Sequence, residues 1–197
     1  MSQVRVSGNA SGTGIFTIVS PNSNTNQTLT LPDSTGTILT TTSPKAGNVL
    51  QVLQTSKTDT FSSSSAAWVD ITGLSVSITP SSTSSKILVI AVVQAVNSST
   101  TGSVLRLMRD STNLSQATST GNRQAGSSSE LFTGRSDNFF SSVATYLDSP
   151  NTTSATTYKV QLLPNGWAAY INRSVTDTDT SGYARGVSYI TVMEVAG

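Results

Sequence analysis

Apolar positions along the chain come in short runs with period two and not in the 3.6-residue stripe of a helix. Leu74, Val76 and Ile78 alternate with Ser75 and Ser77, so one face of that segment is apolar and the other hydroxylic. Val49–Gln54, Trp68–Ile71, Val104–Arg109, Phe139–Leu147, Tyr158–Leu162, Trp167–Ile171 and Tyr189–Met193 read as further strands. Ile87–Val96 is apolar at nearly every position, which predicts a central strand buried on both faces. Pro164-Asn165-Gly166 lies between two strands, and Asn-Gly is a strong two-residue hairpin signal, so 158–162 and 167–171 are expected to pair. The Ser62–Ser65 and Ser81–Ser85 clusters read as turns, and Ser115–Ser136 as a long polar surface loop. Many short strands separated by Ser, Thr, Asn, Gly and Pro predict an all-β sandwich or barrel. Eight to ten strands, the last at the C-terminus, fit a jelly-roll sandwich.

The first 43 residues form a unit of their own. Ile15–Val19, Thr28–Leu31 and Thr37–Leu39 read as three short strands, with a turn at Pro21–Asn26. So few residues cannot bury much apolar surface within one chain. Ile15, Phe16, Ile18, Leu29, Leu31, Ile38 and Leu39 are therefore expected to meet partners, in a trimeric stalk or by docking on another protein. Residues 44–197 form the larger unit, joined through a linker containing Pro44.

Composition narrows the function. The chain has 197 residues, 36% of them hydrophobic and only 11% charged, with a net charge of +1. A disordered chain pairs low hydrophobicity with high charge, so this is a folded protein with a neutral, hydroxyl-rich surface. Nucleic-acid binding is not expected, because phosphate neutralisation needs clustered Lys and Arg. No run is long enough to insert in a membrane, and MSQVRVSGNASG lacks the apolar core of a secretory signal. With no His and no Cys, triad-type nucleophilic catalysis and ordinary zinc sites are excluded. A glycosidase would need two carboxylates flanking a sugar cleft, and Asp148, Asp177, Asp179 and Glu194 are the ones to inspect. No enzyme activity is expected.

Two polar motifs carry the remaining chemistry. Asp177-Thr178-Asp179-Thr180-Ser181-Gly182 matches the first half of a calcium loop, with Asp177, Asp179 and Ser181 as oxygen donors for Ca²⁺. Position 12 is Ser188, not Glu, and no helices flank it, so the other reading is a turn between strands. Trp167, Tyr170 and Tyr183 lie near loop tips, where aromatic rings with a polar handle serve as ligand or interface residues, and Arg185 joins them as a receptor-binding candidate. Core or interface burial is the competing role. Arg173 and Arg185 are expected to pair with Asp177, Asp179 or a neighbouring subunit rather than with a ligand. Trp68, Phe61, Phe139, Phe140 and Tyr146 are expected in the core.

The arm, Ser7–Gly14 through Pro21-Asn22 to Thr28-Leu29-Thr30-Leu31-Pro32-Asp33-Ser34-Thr35-Gly36-Thr37-Ile38-Leu39, resembles a module common in bacteriophage tail fibres. The segments Trp68–Pro80, Ser84–Val89 and Tyr183–Val195 resemble fibre-associated head domains of phages, especially those infecting cyanobacteria. In strand order the head also looks like a C1q/TNF-type jelly roll. The resemblance implies a homotrimer on the exterior of a virion, contacting other virion proteins, with host-surface binding as the commonest job and a host surface glycan as a candidate partner. It implies a short tail fibre displaying a host-binding head; a capsid decoration or knob protein anchored through its arm is the rival.

Overall fold

The computed structural model describes residues 11–15, 17, 19, 22–26, 28, 44–99, 102–119, 121–127 and 138–197. The chain divides into two units, Met1–Ile38 and Leu39–Gly197. In the first, Ile15 is 92% exposed and Val19 77%. Phe16, Ile18, Leu29, Leu31, Ile38 and Leu39, named above as anchor residues, lie outside the described residues.

The second unit is all-β, with no helix among the described residues. Its strands are β1 (Val49–Lys57), β2 (Phe61–Ser63), β3 (Val69–Ile78), β4 (Lys86–Asn97), β5 (Val104–Arg109), β6 (Thr112–Ser115), β7 (Phe140–Asp148), β8 (Thr156–Leu163), β9 (Ala169–Ile171) and β10 (Ser188–Val195). They form two antiparallel sheets. One carries the order β1-β10-β4-β9-β2 with β7 on β4, and the other the order β3-β8-β5-β6. Leu74, Val76 and Ile78 of β3 point into a single core with Val89, Ala91 and Val93 of β4, Leu105 and Leu107 of β5, Val160 and Leu162 of β8, and Ile190 and Val192 of β10. The period-two alternation of the sequence thus marks the inner face correctly.

Register explains how the six-stranded sheet is built. β10 lies along residues 86–92 of β4, and β9 continues along 95–97 of the same strand. β7 covers the opposite edge of β4, from Ile87 to Ala95. β1 pairs with β10, and β2 pairs with β9. So β9 and β10 are one strand line interrupted by the excursion 172–187, and β1 and β2 are a second line interrupted at 58–60.

Asn172 closes the base of that excursion. It is fully buried and left-handed, with φ +62°. Its amide nitrogen donates to the carbonyls of Lys57 (2.8 Å) and Asp59 (2.9 Å), and its Oδ1 accepts from Ser188 Oγ (2.6 Å). Its backbone N–H donates to Gln94 O (2.8 Å), and its carbonyl accepts from Gly186 N (3.0 Å). Asparagine is among the few side-chain-bearing residues that adopt left-handed geometry readily. Asn172→Ala is expected to cost about 2–4 kcal/mol through lost buried hydrogen bonds and backbone strain. Asn172→Gly should recover only about 1 kcal/mol, because it relieves strain and restores no side-chain bond. Urea midpoints of the two variants check this; equal midpoints would leave no role for the backbone geometry.

Four expectations are corrected. First, the apolar run of β4 is not buried on both faces. Ile87, Val89, Ala91, Val93 and Ala95 fill the core, while on the outer face Val96 is buried and Leu88, Ile90 and Val92 are only partly buried. An apolar run signals two apolar faces; it does not specify a second layer within the same chain. Second, β8 and β9 do not pair. Asn165 (φ +61°) and Gly166 (φ +81°) make the expected left-handed turn, but the chain crosses there from one sheet to the other. Turn chemistry is local, whereas the partner of each strand is chosen by distant core residues. Third, Trp68–Ile71 and Leu74–Ile78 are one strand, bulged at Gly73, where φ is +80° and the register shifts between Asp70 and Ser75. Fourth, of the aromatics assigned to the core, Phe61 packs against it half-buried, Trp68, Phe139 and Phe140 are half-buried, and Tyr146 is exposed. Among the described residues the fully buried aromatic ring is Tyr158. Two short strands, β2 and β6, fall in segments too polar for the sequence pattern to reveal.

Candidate functional site

The two outer faces of the second unit differ in chemistry. On the four-stranded sheet, Asp70, Gln161 and Arg106 form a row across β3, β8 and β5. Lys159 Nζ donates to Asp70 Oδ2 (2.8 Å), Gln161 Nε2 to Asp70 Oδ1 (2.6 Å), and Arg106 Nε to Gln161 Oε1 (2.8 Å). Arg106 stacks on the Trp68 ring at 4.2 Å. Partial burial raises the Asp70 carboxyl, but the bonds from Lys159 and Gln161 outweigh it and hold the group below its ordinary pKa. This face is polar and internally satisfied.

The outer face of the six-stranded sheet is not. Its register places Val52, Met193, Leu88 and Leu147 in one row, and Ser56, Tyr189, Val92 and Val143 in another. Between them runs Gln54, Thr191, Ile90 and Thr145, with Thr191 Oγ1 donating to Gln54 Oε1 at 2.9 Å. None of these positions carries Asp, Glu, Lys or Arg. Val52, Val143 and Leu147 are each more than half exposed. Contiguous apolar surface of this kind marks an interaction site, since burying each such side chain contributes about 1.5–3 kcal/mol.

The sequence-nominated ligand residues gather at one end. The chain enters this unit where Gly47 N donates to Ala196 O (2.8 Å) and Ala196 N to Asn48 O (2.9 Å). β4 begins at that end and runs twelve residues away from it, a rise of about 40 Å. At the far end lie the 164–167 turn and the 172–187 excursion. Buried Asn97 fixes the turn: its Nδ2 donates to Pro164 O (3.3 Å) and to Ser103 Oγ.

Within the excursion the structure brings Tyr170, Arg173, Asp177 and Arg185 together. Arg173 and Arg185 face each other as a two-residue bridge. Arg185 donates to Asp177 Oδ2 at 2.7 Å, Arg173 reaches the same oxygen at 3.4 Å, and Arg173 stacks over Tyr170 at 4.5 Å. The Arg–Asp pairing matches the sequence reading. Tyr183 is half-buried, its N–H donating to Thr180 O (3.2 Å). Asp179 and Ser181 are exposed. The Asp177 carboxylate is therefore held by two guanidinium groups, which supply its counter-charge from the chain's own residues. Among the described residues, no three His, Cys, Asp or Glu side chains converge as a metal site. Trp167 stands apart on its turn, 53% exposed.

The other acidic residues flagged by the sequence serve the interior. Asp148, Ile87 and Glu194 form one cross-sheet row facing the core. Tyr158 Oη donates to Asp148 Oδ2 (2.7 Å), and Arg109 reaches the same oxygen at 2.7 Å. Burial, then the bond to Asp148, pushes the Tyr158 hydroxyl far above its ordinary pKa. Glu194, 1% exposed, accepts from Ser81 N (2.7 Å), Ser81 Oγ (2.6 Å) and Gln51 Nε2 (2.6 Å). Burial raises its pKa, and the donors of Ser81 and Gln51 lower it further than burial raises it. A carboxyl depressed in the folded state stabilises fully above its unfolded pKa and loses that contribution as pH falls through the folded value. Glu194→Gln is thus expected to cost about 1.5–3 kcal/mol at neutral pH. The gap from wild type should shrink below about pH 4; a pH-independent difference in thermal midpoint would contradict it. The sequence marks Gln51 only as part of a strand and Ser81 only as part of a turn, because neither residue type signals a distant carboxylate partner.

The fold and site define an all-β protein of two antiparallel sheets, one of which exposes apolar side chains on its outer face. Searched against family models the chain matches none, and no curated protein matches it significantly.

Proposed function

We propose that this chain is a non-enzymatic structural protein of a bacteriophage particle, a short homotrimeric tail fibre whose jelly-roll head is displayed for host-surface binding. The observation that carries this reading is the set of outer rows of the six-stranded sheet, one of Val52, Met193, Leu88 and Leu147 and one of Ser56, Tyr189, Val92 and Val143, which hold exposed apolar side chains and no acid, with Lys86 the charge at their edge. Exposed apolar rows without an acid set up no repulsion against a neighbouring copy, and a closed threefold ring, in which each copy meets its neighbours through two different patches, would bury them without leaving an open end. Exposed Ile15 and Val19 in the first unit call for the same remedy, because their unit is too small to bury them alone.

Strand order supports the jelly roll. Passing from β2 to β3, β3 to β4, β4 to β5, β6 to β7, β7 to β8 and β8 to β9, the chain changes sheet each time. That winding is the one in which two antiparallel sheets wrap a single core. The nominated ligand residues at the end remote from the chain's entry support display, since a tethered head meets its target there. The resemblance of the arm and head segments to phage fibre modules supplies the virion setting. Multiple copies per particle would turn weak host contacts into firm attachment. Imaging of intact particles with the chain fitted into density tests the reading. Trimeric density at the tail is the expected result; density confined to the capsid, or none, would overturn the fibre assignment.

A further inference from the structure

Among the described residues, three asparagines sit in left-handed backbone: Asn151, Asn165 and Asn172. Their successors are Thr152, Gly166 and Arg173, and Asn165-Gly166 is the single Asn-Gly step in the chain. The successor matters chemically. Its backbone nitrogen can attack the asparagine side-chain carbonyl carbon and close a succinimide ring. A Cβ on that residue crowds the closing ring, and glycine has none. At Gly166 the space that a Cβ would fill is open, with nothing within 4 Å. The residue is exposed, so water reaches it.

The turn is anchored from beneath and loosely tied at its tip. Pro164 is buried, and its carbonyl accepts from Asn97 Nδ2 and Ser103 Oγ, both at 3.3 Å. Across the tip, Gly166 N donates to Ser65 O at 3.2 Å, Gln124 Nε2 to Asn165 Oδ1 at 3.3 Å, and Trp167 N to Pro164 O at 3.4 Å. These lengths lie at or beyond the long end of the ordinary range, where hydrogen bonds are weak. Asn172 is the contrast. It is fully buried, and its side chain is held by bonds of 2.8, 2.9 and 2.6 Å.

We infer that Asn165 is a self-modification site, at which the folded protein slowly converts a neutral amide into an anionic carboxylate. Gly166 N attacks Asn165 Cγ. The amide nitrogen leaves with the Gly166 proton as ammonia, and the succinimide remains. Water then adds to either ring carbonyl, breaks its bond to nitrogen and returns a proton to that nitrogen. Opening at Cγ gives aspartate. Opening at the main-chain carbonyl gives isoaspartate, whose backbone runs through Cβ. Nothing is oxidised, and water is the one co-reactant. An ordinary carboxyl ionises near pH ~4. The new negative charge therefore takes the formal net charge at pH 7 from +1 to neutrality.

Full-length protein is incubated at neutral pH in water enriched in heavy oxygen, with a second portion held unfolded in urea as the chemical reference. Digestion in ordinary water leaves any later conversion unlabelled. Peptide mass spectrometry locates the label, and electron-based fragmentation separates aspartate from isoaspartate. The expected result is a heavy oxygen at position 165 of the folded protein, gained before any other asparagine gains one. Cation exchange should show a new, earlier-eluting peak that Asn165→Gln does not form. No label at 165 in the folded protein, by the time the urea portion is fully converted there, overturns the inference. Earlier labelling at another asparagine of the folded protein overturns it too.

Discussion

Leu88→Lys combined with Leu147→Lys is expected to convert the proposed trimer into a monomer of 20.5 kDa. The two residues are cross-strand neighbours in the outer row that also holds Val52 and Met193. Each copy of the interface would gain two ammonium groups with no acid on the face to receive them. Like charges brought together at a desolvated contact cost several kcal/mol. The monomer should stay folded, because both positions face away from the core and a lysine stem can run along the sheet while its charge reaches water. Sedimentation equilibrium reads the outcome. Ser75→Lys, on the outer face of the other sheet, is the control and should leave the trimer intact. A wild type that sediments as a monomer, or a double variant that stays trimeric, would refute assembly through this face.

The second large effect lies in the core. Asp148→Ala is expected to destabilise the head by about 3–5 kcal/mol, because it strips the partner from Arg109 and leaves the Tyr158 hydroxyl buried without its acceptor. The loss is mostly the cost of stranding those groups, not the net value of the bridge. Replacing all three by apolar residues, as Asp148→Leu, Arg109→Met and Tyr158→Phe, should therefore recover most of the deficit. Denaturant unfolding of the single and triple variants checks both halves. A triple variant as unstable as the single one would mean that the network itself, and not the unpaired charge, carries the stability.

The sequence reveals what depends on local pattern. Period two in β3 identifies Leu74, Val76 and Ile78 as inward, and β5 runs from Val104 to Arg109 as the pattern predicts. Asn165-Gly166 announces a turn, and a turn is there. What the sequence hides is pairing. Nothing in residues 164–166 indicates that β8 and β9 enter different sheets, because that choice depends on Leu162 and Ile171 meeting distant strands. Glu194 reads as one acid among ten, although it sits inside a cage built by residues more than a hundred positions earlier. Of the candidate site, the Arg–Asp pairing is legible from charge and proximity alone. The buried knot at Asn172 is not, since a left-handed asparagine in a polar stretch looks like any other.

The interruption between β9 and β10 sets how this protein can diversify. Its two stems are stitched side by side by the Arg173–Arg185 bridge and by Asn172 with Gly186 and Ser188, before either strand line resumes. Residues 178–183, beyond the Asp177 carboxylate that ties the two arginines, therefore form a cassette whose length and sequence are decoupled from the register of β4 against β10. A foreign segment spliced between those stems would leave the sheet, the core and the uncharged outer rows as they are. Novelty in this excursion then costs the scaffold little, and one framework can carry many different surfaces by exchanging a single short stretch of chain.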